Sequence, residues 1–200
     1  MGRTTIQVFT LRPAVAADVR HVAKRMRPAD RAECRAFSNA EPAATLRKSW
    51  QRALWCEAID YGGEVVALYG LAPSANPMVG CPWMLGTPAV EHLGPAFVRA
   101  CRPTLDLMLS SHPALLNFVQ SKNTRSVRWL EWLGFEFLQP IVMVATGKEF
   151  LPFRMVRDQA ARAASNDYLR SLGLDLECRP GPRAIARPRR RSGAAPQFVM

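Results

Sequence analysis

Six arginines, Arg179, Arg183, Arg187, Arg189, Arg190 and Arg191, fall within thirteen residues near the end of this 200-residue chain, with no acid among them. A guanidinium is permanently charged and forks onto carboxylates and phosphates, so the run expects an anionic partner. Much of the formal net charge of +11 is concentrated there. A second set, Arg125, Arg128 and Trp132, shares one face of a helical repeat, and an indole flanked by arginines suits a protein interface. The last four residues, Gln197-Phe198-Val199-Met200, could anchor Phe198 in an apolar groove or add to a sheet edge. Other chemistry-bearing types are scattered. Cys34, Cys56, Cys81, Cys101 and Cys178 form no Cys-x-x-Cys pair, and His21, His92 and His112 have no ligand spacing, so neither a disulfide framework nor a metal site is expected. His21 reads as a solvated residue on a surface helix. No Ser/His/Asp triad, Cys/His dyad or phosphate loop is present.

Hydrophobic periodicity supplies the frame for these residues. Ser126, Trp129, Leu130 and Leu133 recur at i, i+3, i+4 and i+7, one buried face of a helix. Asn123 can cap its first free N–H groups, and Gly134 can take the left-handed conformation just past its end. Apolar runs flank it, Leu115 to Val119 before and Phe135 to Leu138 after, so the unit predicts strand, short helix, strand. Upstream, Ile6 to Leu11 reads as a strand and Val15 to Met26 as a helix that Pro28 closes. Asp30 with Glu33 has the form of a capping box for a second helix through Cys34 and Phe37, and a third covers 43–54. Trp55 to Tyr61 and Val65 to Leu71 alternate about Gly62-Gly63 as a hairpin. Ala72 to Pro82 reads as loop, Pro82 to Gly86 as a short strand, and 91–111 as a helix that Pro103 kinks or divides. Its inner face is Leu93, Phe97, Cys101, Leu105 and Met108. Phe150 to Val156 is the last strand. Asp158 to Leu172 reads as a helix, with Ala160, Ala164, Tyr168 and Leu172 at every fourth position. The fold class is mixed α/β: a domain over 1–157, a C-terminal helix over 158–173, and an Arg/Pro-rich extended tail over 174–200 with no core pattern. At 48% hydrophobic residues the chain can build a core. No apolar run approaches the roughly 18 residues that span a bilayer, and the opening Met1-Gly2-Arg3-Thr4-Thr5 lacks a signal-peptide core.

Asn123, Ser126 and Leu133-Gly134-Phe135 match in type and spacing the carboxy-terminal signature of the GCN5-related N-acetyltransferase (GNAT) fold, which this unit resembles. The chain also looks similar to the GNAT-like internal virion proteins of short-tailed phages. That likeness lies in Leu11-Arg12-Pro13-Ala14, Pro82-Trp83-Met84-Leu85-Gly86-Thr87, Asn123-Thr124-Arg125-Ser126 and Leu151-Pro152-Phe153. The resemblance implies a mixed sheet, splayed in the middle, with helices on both faces.

It also implies a chemistry to look for. Acetyl transfer in that family needs a glycine-rich turn whose N–H groups hold the pyrophosphate of acetyl-CoA, a tyrosine donor seven residues after the Asn, and a base for the amine. The stretch corresponding to the turn runs from Leu85 to Ala96. It lacks the glycine pattern, Pro88 and Pro95 remove donors, and Glu91 would repel phosphate. The tyrosine position is Leu130. Glu57 and Asp60 lie on the hairpin strand where a base would be, and Gly86, Thr87 and Asn123 are the coenzyme-binding positions an active enzyme would use. The expectation is therefore a non-catalytic GNAT-fold component of a phage virion, without cofactor or metal. Made in the host cytoplasm and present in several copies, it would bind other virion proteins at the portal, core or head–tail junction, and phage DNA through the arginine tail. The alternative is an active N-acetyltransferase using acetyl-CoA on an unknown amine.

Overall fold

In the computed structural model, which describes residues 9–174, the alternating segments close about Gly62-Gly63 as the hairpin β2 (Trp55–Tyr61) and β3 (Glu64–Pro73). Both turn glycines have positive φ, 61° and 83°, the conformation that favours a residue without Cβ. β1 (Thr10–Pro13) lies antiparallel outside β2, and β4 (Val79–Gly86) antiparallel inside β3. The second half of the sheet is β5 (Ala114–Gln120) against β8 (Lys148–Val156). β6 (Glu136–Phe137) and β7 (Ile141–Met143) share the far side of β8.

The halves join where β4 runs parallel to β5, and the ladder lasts only for Val79 with Ala114 and Gly80 with Leu115. Pro82 explains why it stops. Its carbonyl faces β5, so its N–H would face β5 as well, and proline has none. Beyond that point the strands diverge.

One face of the sheet carries α4 (Gly94–Ser111) and α5 (Thr124–Leu133), which bury Phe97, Leu105, Met108, Trp129, Leu130 and Leu133 against Tyr69, Met84, Leu115 and Phe153. The other face carries α1 (Ala16–Arg25), α2 (Pro28–Ser38), α3 (Pro42–Arg52) and α6 (Gln159–Ser171). The α5 unit matches expectation closely. Asn123 Oδ1 accepts from the Ser126 N–H, all four residues of the repeat are buried, and Gly134 closes the helix at φ 98°. The mixed sheet, open at its centre and flanked by helices, is the architecture the resemblance implies.

Several local expectations are corrected. Pro28 begins α2 rather than ending α1, because proline suits the first helical turn, where its missing N–H costs nothing. Asp30 therefore sits inside the first turn and does not cap it. Both strands beside the 72–82 segment extend into it, leaving only 74–78 as loop; Pro77 lies in that loop, Pro73 at the end of the β3–β4 ladder, and Pro82 at a position facing away from it. A separate 3-10 turn (Pro88–His92) precedes α4, and Gly94 at φ 65° resets the chain between them. Pro103 lies within α4 without dividing it. The strand after α5 has shrunk to two residues, and β7 has no counterpart in the sequence reading. The buried face of α6 is Ala161, Ala164, Ser165 and Leu169, with Ala160 and Leu172 exposed. Leu174, assigned to the tail, packs beneath α6 and donates its N–H to the Leu169 carbonyl.

Candidate functional site

Divergence of β4 and β5 leaves unladdered backbone in the middle of the sheet, and that gap is the natural place for a ligand. Asn117 fills it. Its Nδ2 donates to the Pro82 carbonyl on β4 at 2.7 Å, and its Oδ1 accepts from the Phe118 N–H on β5 at 2.9 Å. One carboxamide thus satisfies an orphan acceptor on one strand and an orphan donor on the other. The gap opens on a cavity to each side. Towards α4 and α5 lies an almost wholly apolar space of about 60 Å³, bounded by Tyr69, Phe97, Cys101 and Trp129 among others. Towards α2 and α3 lies a larger one of about 210 Å³, with Asp30, Glu33, Thr45, Ser49 and Asn117 among aromatic walls. Pro82, Trp83, Met84, Leu130 and Phe153 wall both cavities.

The mouth of the gap, where β4 and β5 end, is strapped by α2. Asp30 Oδ2 accepts from the Gly86 N–H at 2.8 Å, and the Arg27 N–H donates to the Gly86 carbonyl at 2.9 Å. Glu33 Oε2 accepts from Asn123 Nδ2 at 2.7 Å. α2 is thus tied to the last residue of β4 and to the cap of α5. Arg27 lies at 1% exposure and donates to Asp30 Oδ1 at 2.7 Å, leaving its Nε and Nη1 without partners. Burial pushes the Asp30 carboxyl up to about 7, against the opposing pull of Arg27 and the Gly86 N–H. Burial also raises Glu33, against Asn123, and lowers Arg27. Outside this layer, Arg125 Nη1 reaches Glu91 Oε2 at 2.8 Å, joining the 3-10 turn after β4 to the first turn of α5.

The residues named from the sequence fall into separate places. Gly86 and Thr87 lie at the mouth, but their N–H groups already serve Asp30 and the Val66 carbonyl. Gly86 also has no room to change, since a Cβ would stand 3.0 Å from the Val66 oxygen and 3.1 Å from the Ala67 Cβ. Asn123 spends its carboxamide on Glu33 and Ser126. Glu57 accepts a hydrogen bond from the Tyr69 hydroxyl, and burial first, then that bond, raises the Tyr69 phenol. Asp60 pairs with Arg12 Nε at 2.7 Å, and Arg12 also forks onto Asp18 at 2.7 and 2.9 Å. Asp18 accepts from the Val15 N–H at the start of α1, so this cluster fixes that helix to the sheet. Glu57 and Asp60 are not brought together with the mouth.

Trp132 is 45% exposed, and the guanidinium over its ring, at 5.4 Å, belongs to Arg102 of α4 rather than to Arg128. His21 is half-buried rather than solvated, with Nδ1 3.3 Å from Arg25 Nη1 and Nε2 enclosed without a partner. Cys34, Cys56, Cys81 and Cys101 are free thiols. Burial pushes Cys34, Cys56 and Cys101 up to about 12 and Cys81 to about 11, so none is a ready nucleophile. Arg179, Arg183, Arg187, Arg189, Arg190, Arg191, Phe198 and Cys178 lie outside the described residues. Among the described residues no acidic, His or Cys cluster could hold a metal, and no helix is long and apolar enough to cross a membrane.

Sequence reasoning missed Asn117, Asp30 and Arg27. Asn117 left a trace, a lone amide in the apolar run 114–119. Asp30 showed only as a capping-box residue and Arg27 not at all, because their role comes from a contact with Gly86, 56 residues beyond Asp30.

No protein-family model and no curated protein matches the chain. Solved structures do. An acetyltransferase of the GNAT family from Bacillus anthracis superimposes with a TM-score of 0.55 at 14% identity, covering 74% of this chain and 95% of that one. The spermidine N-acetyltransferase from Vibrio cholerae in complex with CoA and spermine gives 0.52 at 16%, covering 74% and 95%. The ribosomal-protein-S18-alanine N-acetyltransferase from Escherichia coli gives 0.52 at 14%, covering 74% and 94%. The fold is the GNAT fold. A pyrophosphate in that fold needs free N–H groups; here those of Gly86 and Thr87 serve Asp30 and the Val66 carbonyl, and the acids Asp30 and Glu91 at the mouth are paired with Arg27 and Arg125.

Proposed function

We propose that this chain is a GNAT-fold domain that does not transfer acetyl groups and instead binds protein partners, as a component of a short-tailed phage particle. The non-catalytic part rests above all on Asn117. The backbone groups that a ligand lying between β4 and β5 would use are already bonded to the protein's own side chain. The straps from Asp30 and Glu33, and the buried Leu130 at the position of the family's proton donor, support the same reading. The virion setting rests on the sequence likeness of the four patches from Leu11 to Phe153, with the portal, core or head–tail junction as docking place. The tail arginines, Arg179 to Arg191, supply contacts to acidic side chains or to phosphate.

Calorimetric titration with coenzyme A tests the first part. The expected result is no saturable heat below millimolar concentration, which corresponds to less than about 4 kcal/mol of binding free energy. A micromolar dissociation constant would establish the second reading, an N-acetyltransferase, which the spermidine and ribosomal-protein enzymes among the structural neighbours favour. For the virion setting, particles assembled without this chain should be defective. Normal assembly and infection without it would exclude a structural role there.

A further inference from the structure

The surface groove between α4 and α5 combines an exposed indole with cations that no salt bridge among the described residues pairs. Arg102 lies over the Trp132 ring at 5.4 Å, which places the outward flank of α4 beside that of α5. Arg99 is one turn before Arg102, and Arg128 one turn before Trp132, so each shares a helix flank with its neighbour and adjoins this contact. Arg99, Arg102 and Arg128 are exposed and have no carboxylate partner among the described residues. Beneath them, Trp129 stacks on Phe97, ring centroids 6.4 Å apart, so the groove floor is rigid aromatic packing in the core.

We infer that this groove binds an acidic segment of a partner protein, with an apolar side chain of the partner against the open part of Trp132 and its carboxylates on Arg99, Arg102 and Arg128. The inference deepens the protein-binding reading above and rests on it. Charge complementarity gives the sign. A half-exposed tryptophan held in place by a guanidinium is a pre-ordered apolar anchor, the kind of residue that dominates an interface. Three forked guanidinium groups beside it can donate bidentately to carboxylates. The extent of the patch selects protein over nucleic acid. Asp106 lies one turn beyond Arg102 on α4, Glu131 adjoins Trp132 on α5, and Glu91 with its partner Arg125 closes the other end. A phosphate backbone carries charge at every step and would meet these acids on leaving the patch. A short segment with carboxylates at chosen positions would not.

The tail arginines would attract any polyanion, so total binding cannot be the readout for the full chain. The test follows the indole N–H resonance of Trp132, assigned by its loss in Trp132→Phe. The protein is titrated with a peptide of alternating glutamate and leucine and, separately, with single-stranded oligothymidylate of equal charge. The expected result is a saturable shift of the Trp132 resonance by the peptide. Arg102→Glu or Arg128→Glu should weaken it at least tenfold, whereas Asp106→Asn should leave it equal or tighter. Both charge reversals are at the surface, and an unchanged amide spectrum elsewhere shows that the fold is retained. The inference is overturned if the peptide moves other resonances but not Trp132, if the reversals have no effect, or if oligothymidylate moves Trp132 at lower concentration than the peptide. None of these outcomes bears on coenzyme A, so this inference and the non-catalytic reading can fail separately.

Discussion

Asn117 shows how one side chain can take the place of a ligand. In the parallel ladder the donor and acceptor it satisfies would have bonded each other's strand, had Pro82 not interrupted the pairing. Removing the carboxamide leaves two enclosed backbone groups, each costing about 1–3 kcal/mol when unsatisfied. Asn117→Leu should therefore lower stability by about 2–4 kcal/mol in urea unfolding, without change in the denaturant slope. A loss below about 0.5 kcal/mol would mean that the gap is wet and that Asn117 is dispensable. Asp30 makes a different prediction, about pH. Its carboxyl is raised to about 7 in the folded protein from an ordinary value near 3.8. A raised pKa means that the folded state binds the proton more tightly than the unfolded one. The associated stability is complete below the ordinary value and is lost as pH rises through about 7. Glu33, also raised, acts with the same sign. Asp18 and Glu136 oppose it, but in another window. Arg12, chiefly, lowers Asp18; burial pushes Glu136 up, yet Arg162 and Arg154 outweigh it. Their stability is lost only as pH falls below the usual carboxylate range. Between pH 5 and pH 8 the Asp30 effect should dominate, so the melting temperature should fall as pH rises. Asp30→Asn, which has no carboxyl to titrate, should show a shallower slope. An unchanged slope would place the titration elsewhere.

At the scale of elements, legibility in the sequence followed the range of the interactions that fix each element. α5 was readable to within a residue because its cap, its buried stripe and its terminal glycine all lie within twelve residues. Gly134 tests how much such a local signal is worth. Its φ of 98° is forbidden to most side chains, yet a Cβ there would meet nothing nearer than Met155 Cε at 3.9 Å. Gly134→Ala should thus cost only the conformational term, about 1–2 kcal/mol. Gly70 is the contrasting case, where a Cβ would stand 2.4 Å from the Trp55 carbonyl oxygen. Gly70→Ala must push β2 and β3 apart, and thermal melts should show the larger loss. The elements misread were those fixed from far away. β7 is three residues long and forms only because β8 offers an open edge. Prolines marked 72–82 as loop, but Pro73 ends the β3–β4 pairing and Pro82 turns its missing N–H towards the gap, so the ladder tolerates both. The candidate site was the least legible part, since it depends on α2 meeting the ends of β4 and β5, and no local pattern encodes that meeting.

At the scale of the whole molecule, the question is where the folding unit ends. Sequence patterning put a boundary at residue 157, with α6 as an appendage. Yet Ala161, Ala164 and Leu169 of α6 are buried with Val79, Ala114, Leu116 and Leu138, which belong to both halves of the sheet and to the segment after β6. Polar contacts reinforce the packing. Arg154, 3% exposed on β8, donates from Nη1 to Ser165 Oγ at 3.1 Å and to Asn166 Oδ1 at 2.6 Å, while its Nε pairs with Glu136. Arg162 of α6 forks onto the same Glu136 at 2.8 and 3.2 Å, and Asn76 Nδ2 donates to the Ala164 carbonyl at 3.1 Å. A chain ending at residue 157 would strip the cover from the short parallel ladder that is the sole direct pairing between the two halves of the described sheet. It would also take Ser165 and Asn166 away from Arg154, which is 3% exposed. The truncated chain should therefore bind a hydrophobic dye and unfold without a sharp transition, whereas a chain ending after Leu174 should melt as the full chain does. A smaller change probes the same contact: Arg154→Met leaves the one-third exposed Glu136 paired with Arg162 and removes the bonds to Ser165 and Asn166, which should cost about 1–3 kcal/mol. If the 1–157 chain melted at the same temperature as the full chain, α6 would be an ornament on a self-sufficient sheet. The burial of Leu116 and Leu138 at 0% exposure beneath α6 argues that it is the lid on their core.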